Sequence, residues 1–457
     1  MQRILLISAL WLLVWLVSSC SDTGGAGHLP PGPNPPNSGN PPSSEPNIVW
    51  QKVLGGSEDD HAYSVIQTSD GGYLIAANTH SSDGDVGENH GKEDIWLVKL
   101  GPDKKVKWKR VYGGNGDDRA ISVAEAEDGG YIVVGVSDST DWGVPENHDY
   151  DMLVLRLDEN GNLLWKKVLG GLEDDYGTAV ERAPDGGYLL VGRTYSELTC
   201  PNGKRGWKDF WIVKLDPTGE VQWQECLGGR YNDHVMDVVS AHDGGYLLVG
   251  GVGSSDGDIQ GEYHGGSKDL WVVKLSESGE IVWQRLLGGS GYDFGSAVVP
   301  TSDGGYVIVG GTDSSDGDVG ESKGDLDTWV IKLDGSGALV WKKVLGGSGY
   351  DLADSVIEAP DGGYVLSGVS ASNDGDIHGN HGDLDVWLAK LDEGGNLRWS
   401  KCFGGTWREG NYDKISTSIK TVRGGGFFIG TYTRSNDGDL EGLCDGYDPD
   451  VWIFEVR

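Results

Sequence analysis

The sequence predicts an all-β protein: a seven-bladed β-propeller with four antiparallel strands per blade, closed by its N-terminal strand joining the last blade. Three observations lead there. One short motif recurs seven times at nearly constant spacing. Glycine-rich turn signals alternate with strand-like runs inside every copy. The repeat is also out of phase with the ends of the chain, as a closed ring requires.

Trp50 opens the first copy, WQKVLGG. Trp108, Trp165, Trp223, Trp283, Trp341 and Trp399 open its counterparts at spacings of 58, 57, 58, 60, 58 and 58 residues. An Asp stands ten positions after six of them (Asp60, Asp118, Asp175, Asp233, Asp293 and Asp351). A four-residue insertion in the last copy, TWREGNYD, puts its counterpart at Asp413. DGGY follows at 70, 128, 185, 243, 303 and 361, with a degenerate RGGGF at 423. A segment of the form DIWLVKL comes next, with Leu153 replacing its Trp in the second copy.

Each copy therefore yields four strands. SVIQT and YLIAA flank a Gly pair that supplies the positive φ of a tight hairpin. IWLVKL and VKWKRVY flank GPDKK, a second hairpin whose apolar and polar residues alternate as in a sheet with two unlike faces. Four such strands with a long loop after the second make one blade. Small residues near the start of the first strand, such as Ala62, Ala120, Gly177 and Gly295, suit a crowded ring around an axis. The folded chain begins with a fourth-type strand, IVWQKVL, and ends with a third-type strand, DVWIFEV. Each alone would leave an exposed sheet edge; pairing them removes both and makes residues 48–54 the outer strand of blade seven.

Residues 1–19 carry Arg3, an apolar run and the tail VSS before Cys20, which reads as a signal peptide rather than a membrane span. VSSC resembles the bacterial lipobox, which implies that Cys20 is acylated and anchors the chain; an ordinary secretory signal is the alternative. Residues 20–46 are dense in Pro, Gly, Ser and Asn and form a tether, leaving 47–457 as the propeller. The formal charge of −35 repels phosphate backbones, so nucleic acid is not an expected partner.

The repeat as a whole is similar to the seven-bladed β-propeller repeat (SBBP) of bacterial envelope proteins, over about residues 47–457. That resemblance implies an exported propeller and no single chemistry. LDxxGxLxW also resembles the tryptophan-docking repeat of quinoprotein dehydrogenases, but their eight blades and adjacent cysteine pair are not found in this sequence.

Five SSDGD-type loops invite comparison with calcium loops. The candidate metal carboxylates are Asp83, Asp85 and Asp94, then Asp316, Asp318 and Asp327, then Asp374, Asp376 and Asp385. Gly87 and Glu88 break the EF-hand pattern. The other reading has these side chains accepting backbone N–H groups of turns. Calcium is thus a candidate cofactor, and no other is indicated.

Function most often sits where symmetry breaks on the loop-rich face. The residue after the repeated Asp varies most there: His61, Arg119, Tyr176, His234, Phe294, Leu352 and Lys414. Irregular loops add Trp142, Trp207 and Trp407, which either form an interaction platform or pack their own loops. Thirteen of the 18 Trp occupy the two repeated strand positions and read as core. The four cysteines beyond Cys20 predict bridges Cys200–Cys226 and Cys402–Cys444.

The sequence shows no catalytic signature. The expectation is a monomeric, non-enzymatic outer-membrane lipoprotein of the bacterial envelope, binding an envelope protein or glycan. The alternative is a polysaccharide hydrolase or lyase using His61, Arg119, Tyr176 and His234 at the axis.

Overall fold

A computed structural model describes residues 45–457 apart from 147, 411–416 and 444–447. Seven four-stranded antiparallel sheets follow one another, each running from an inner to an outer strand in sequence order. Blade one, for example, comprises Asp60–Gln67, Tyr73–Thr79, Asp94–Leu100 and Val106–Tyr112. The exception is the closure. Strand Ile48–Leu54 pairs antiparallel with Asp450–Val456, in a register running from Ile48↔Val456 to Leu54↔Val451. The ring is a seven-bladed β-propeller closed by its first strand, as the phase of the repeat requires. Among the described residues there is no α-helix, and so none long and apolar enough to cross a membrane.

Middle strands read as near-continuous apolar runs because both faces are covered by neighbouring blades. The third-strand tryptophans Trp96, Trp211, Trp271, Trp329, Trp387 and Trp452 are fully buried. The outer-strand tryptophans seal blade boundaries instead. Trp108 lies against Gly161 of the next blade, where φ is +76° and an added Cβ would sit 3.0 Å from the indole.

Each inner strand of blades one to six carries a bulge, as between Ala62 and Ser64. The extra residue (Tyr63, Ile121, Thr178, Met236, Ser296 or Asp354) helps line an axial cavity of about 520 Å³. The cavity occupies the half of the channel nearest the DGG hairpins.

The DGG Asp and the third-strand Lys form a repeated ion pair, seen in Lys99–Asp70, Lys214–Asp185, Lys274–Asp243, Lys332–Asp303 and Lys390–Asp361, with Arg156–Asp128 in blade two. In blade seven the sign inverts: Glu455 stands at the Lys position and pairs with Lys104 and Arg457. Lys332 is buried while Asp303 is largely exposed. Replacing Asp303→Ala strands a buried ammonium and is expected to cost ~2–3 kcal/mol, whereas Lys332→Met, which removes the charge, costs less. Thermal melts of the two variants check this order.

The last inner strand corrects one expectation. Glu409, not Asp413, takes the role of the repeated Asp. Its Oε2 accepts the Gly405 amide at 3.1 Å and its Oε1 accepts the Thr433 hydroxyl at 2.9 Å. Its own amide donates to Leu384, as Asp351 donates to Leu326. The insertion falls after this carboxylate, so Gly410, whose amide donates to Tyr432, holds the ring position expected for Lys414. Asp413 and Lys414 themselves lie outside the described residues.

Candidate binding site on the loop-rich face

Each inner strand of blades one to six starts on the loop-rich face with a buried Asp whose outer oxygen accepts an amide four residues earlier, as from Gly56 to Asp60 and Gly229 to Asp233. This fixes the following residue at the mouth of the ring. Two more positions per blade join it: its cross-strand partner on the second strand, and the residue preceding the third-strand Asp.

These positions divide the mouth into unlike sectors. In blades one and two the charges are matched: Arg119 pairs with Glu93 and lies 3.9 Å from Asp117, which also accepts the Tyr150 hydroxyl at 2.8 Å. In blades five and six the positions are apolar: Phe294, Leu326, Leu352 and Leu384. Phe294 covers Gly311. His61 packs edge-on against Tyr432 of blade seven.

Blades three and four are basic. Arg193 lies 4.5 Å over the Tyr176 ring, Lys208 4.8 Å over Tyr195, and Lys268 5.4 Å from the centre of Tyr292. Lys268 Nζ also donates to His234 Nδ1 at 3.0 Å. Among the described residues none of these three cations forms an ion pair with a carboxylate. Burial, with Lys268, Arg193 and Lys208 nearby, pushes His234 down to about 2, so its ring is neutral. Burial and the same two neighbours lower Lys268 to about 8. With Nδ1 accepting from Lys268, His234 carries its proton on Nε2. That N–H and the Arg193 Nε–H are both buried without a hydrogen-bond partner among the described residues.

A cleft of about 750 Å³ adjoins this sector and shares Tyr195 and Lys208 with it; Glu173, Glu197 and Lys204 also line it. Its outer wall is Trp207, 75% exposed, and Leu198, 81% exposed. The wall is the irregular loop of blade three, and the Cys200–Cys226 disulfide (Cα–Cα 5.4 Å) ties it to the outer strand.

Other candidates are accounted for differently. Trp142 is half-buried in its blade's core with Lys166 4.2 Å above it, so it packs its own loop. Trp407 is 60% exposed on the loop entering blade seven, away from the cleft. Cys402 is a free, buried thiol, so the expected second bridge is not formed; Cys444 lies outside the described residues. The reason is local: Ile377, from the loop of Cys402's own blade, packs with it in one apolar cluster, as Cys200 does with Cys226.

The loop carboxylates are largely spent on hydrogen bonds. Asp83, Asp316 and Asp374 cap the amides of Ser57, Ser290 and Ser348 in the preceding turn. Asp94, Asp327 and Asp385 accept amides of their own loops. Asp85 pairs with Lys109, Asp376 with Lys323, and the Asp318 carboxylate lies 3.7 Å from His264. Among the described residues no three His, Cys, Asp or Glu side chains converge as a metal site.

Sequence reasoning found Tyr176 and His234 but missed Arg193, Lys208 and Lys268. Reading the residue before each third-strand Asp (Glu93, Tyr150, Lys208, Lys268, Leu326, Leu384) would have revealed the sectors.

No family model matches the chain. A curated relative, the regulatory protein FlaEY of Caulobacter vibrioides, is 26% identical over 223 residues, covering 44% of this chain; the chain thus spans only 23% of that protein's length. Among solved structures, the WD40 domain of Neurospora crassa Pan2 aligns over 88% of this chain and 95% of its own at 12% identity, TM-score 0.45. BamB from Moraxella catarrhalis aligns over 90% and 88% at 13% identity, TM-score 0.38. A protein of unknown function from Dyadobacter fermentans aligns over 90% and 99% at 12% identity, TM-score 0.46.

Proposed function

We propose that this propeller is a non-enzymatic binding scaffold of a bacterial envelope, anchored through acylated Cys20 and the 20–46 tether, that holds a glycan or protein on its loop-rich face. Cys20 and the signal segment lie outside the described residues, so the anchor rests on the VSSC motif. The observation that carries the binding role is the cleft beside Trp207: exposed aromatic and apolar side chains beside Lys204 and Lys208, which form no ion pair among the described residues although Glu173 and Glu197 also line the cleft.

The hydrolase or lyase reading finds less support. Arg119 is neutralised by Glu93, Tyr176 donates to Asp174 at 3.1 Å beneath Arg193, and His234 is held by Lys268, so the proposed catalytic set is dispersed. The axial carboxylates are tied across blade boundaries: Asp237 accepts the Val298 amide at 2.9 Å and Glu181 the Ser240 amide at 3.1 Å.

Two measurements test the reading. Cells expressing the wild-type chain should carry it in the membrane fraction, and Cys20→Ala should release it. Purified full chain should retain particular members of a panel of envelope glycans and proteins, with retention lost in Trp207→Ala and the ligands recovered intact. Cleaved glycan, or retention indifferent to Trp207, would overturn it.

A further inference from the structure

We infer that the blade-three–four sector is an anion-recognising subsite for an acidic sugar residue, a uronic acid set in an otherwise sparsely charged glycan. This deepens the scaffold reading above and rests on it. Three cationic side chains (Arg193, Lys208 and Lys268) gather without a carboxylate partner among the described residues, in a chain with 71 Asp and Glu against 36 Lys and Arg. Elsewhere on the same face cations find acids: Arg119 has Glu93, Arg205 has Asp258 and Arg230 has Asp256. The Tyr rings beneath the three cations answer part of their charge, and a negative group at the mouth beside Lys208, the one of the three that also lines the cleft, would answer the rest.

The second observation is a pair of buried donors, Arg193 Nε–H and His234 Nε2–H, that have no acceptor among the described residues. Buried donors are nearly always satisfied, so two in one spot call for an acceptor from outside the chain. A carboxylate offers about four lone-pair sites and charge-assisted bonds to both. Neutral His234 suits this role, because it donates without adding a further charge beside Lys268.

The rest of the ligand follows from the neighbours. Tyr195 and Trp207 line the adjoining cleft, and the indole of Trp207 offers a flat apolar wall to the C–H face of a pyranose. The net charge of −35 argues against dense polyanions such as nucleic acid or polyuronate, and leaves a single acidic residue as the fit.

The test uses the full chain and a glucuronic-acid-bearing xylo-oligosaccharide, with the same oligosaccharide after carboxyl reduction and a glutamate-containing decapeptide as comparisons. Binding is read by calorimetry. The acidic oligosaccharide should bind, and the reduced form should bind on the order of tenfold more weakly. Lys208→Gln with Lys268→Gln should lose a similar factor, with the melting temperature reporting that the ring is intact. Lys343→Gln, on the outer strand of blade five, should bind like wild type. Equal binding of acidic and reduced sugars, abolished by Trp207→Ala, would overturn the acidic assignment and leave the scaffold reading standing. Binding of the peptide but not the sugar would overturn the saccharide. Retention of none of the three probes would overturn the subsite.

Discussion

Deleting residues 47–54 is expected to abolish cooperative folding of the whole ring. Leu54 packs with Val65 and Val451, Val53 and Ile48 pack against the cluster of Trp452 and Phe454, and Trp50 stacks on Phe428 at 5.9 Å. At ~1.5–3 kcal/mol per buried large apolar side chain, losing these contacts approaches the ~5–15 kcal/mol that holds a typical domain together. The deletion also bares the full edge of Asp450–Val456, a strand with both neighbours in the native sheet. Rescue separates loss of closure from general damage. Asn47 N donates to Arg457 O at 2.9 Å and Arg457 N to Asn47 O at 3.0 Å, so the two ends already stand at hairpin spacing. Appending IVWQKVL after Arg457 through a short Asn-Gly turn should restore the melting transition, followed by far-UV circular dichroism. A deleted chain that still melts at the wild-type temperature would refute closure as the main source of stability.

Closure was legible because strand type can be assigned from the turn on either side, and the chain ends broke the count in complementary ways. Blade interiors were legible for the same reason: DGG and LDxxG announce their hairpins locally. What escaped depends on exchangeable parts. Glu409 replaces Asp because its longer side chain reaches the same amide, so counting to the next Asp overshot to Asp413. Cys402 and Cys226 share a register, but their partners are set by what each loop inserts: Ile377 in one blade, Cys200 in the other. The basic sector draws Arg193, Lys208, His234 and Lys268 from strand ends and loops of two blades, and only the ring places them together. Tyr176 and His234 were within reach because they follow a repeated landmark directly.

The protein is expected to melt higher at pH 5 than at pH 8, the opposite of what its surface ion pairs alone would suggest. At six blade junctions two buried acids face the glycine that ends an outer strand. A methyl group on Gly113 would overlap the Asp94 carboxylate and sit 3.0 Å from Asp118 Oδ2. Asp151/Asp175, Asp209/Asp233, Asp269/Asp293, Asp327/Asp351 and Asp385/Glu409 repeat the arrangement at Gly170, Gly228, Gly288, Gly346 and Gly404. One oxygen of each third-strand Asp from Asp94 to Asp385 is buried without a hydrogen-bond partner among the described residues. Burial first, and the facing acid in most pairs, push Asp151, Asp269 and Asp385 up to about 6, Asp233 to about 7 and Glu409 to about 8. In the unfolded chain these groups titrate near ~4. The folded state therefore holds protons that the unfolded state has released, so this stability is complete below about pH 4 and is lost as pH rises through 6 to 8. His234 opposes the trend: held at about 2 against ~6.5 unfolded, it costs stability as pH falls below 6.5. Asp303 limits the acid side. Burial would raise it, but Lys332 and Thr301 outweigh that and hold it at about 2, so its contribution is lost as pH falls from about 4 toward 2. Each unit of upward shift is worth ~1.4 kcal/mol, and five acids set against one histidine should raise the melting temperature by at least ~5 °C between pH 8 and 5. Asp269→Asn can keep the His264 amide bond while removing one titrating group, and should flatten the slope without unfolding the ring. A melting temperature that stays level or climbs from pH 5 to 8 in the wild type would refute protonated junction carboxylates as a source of stability.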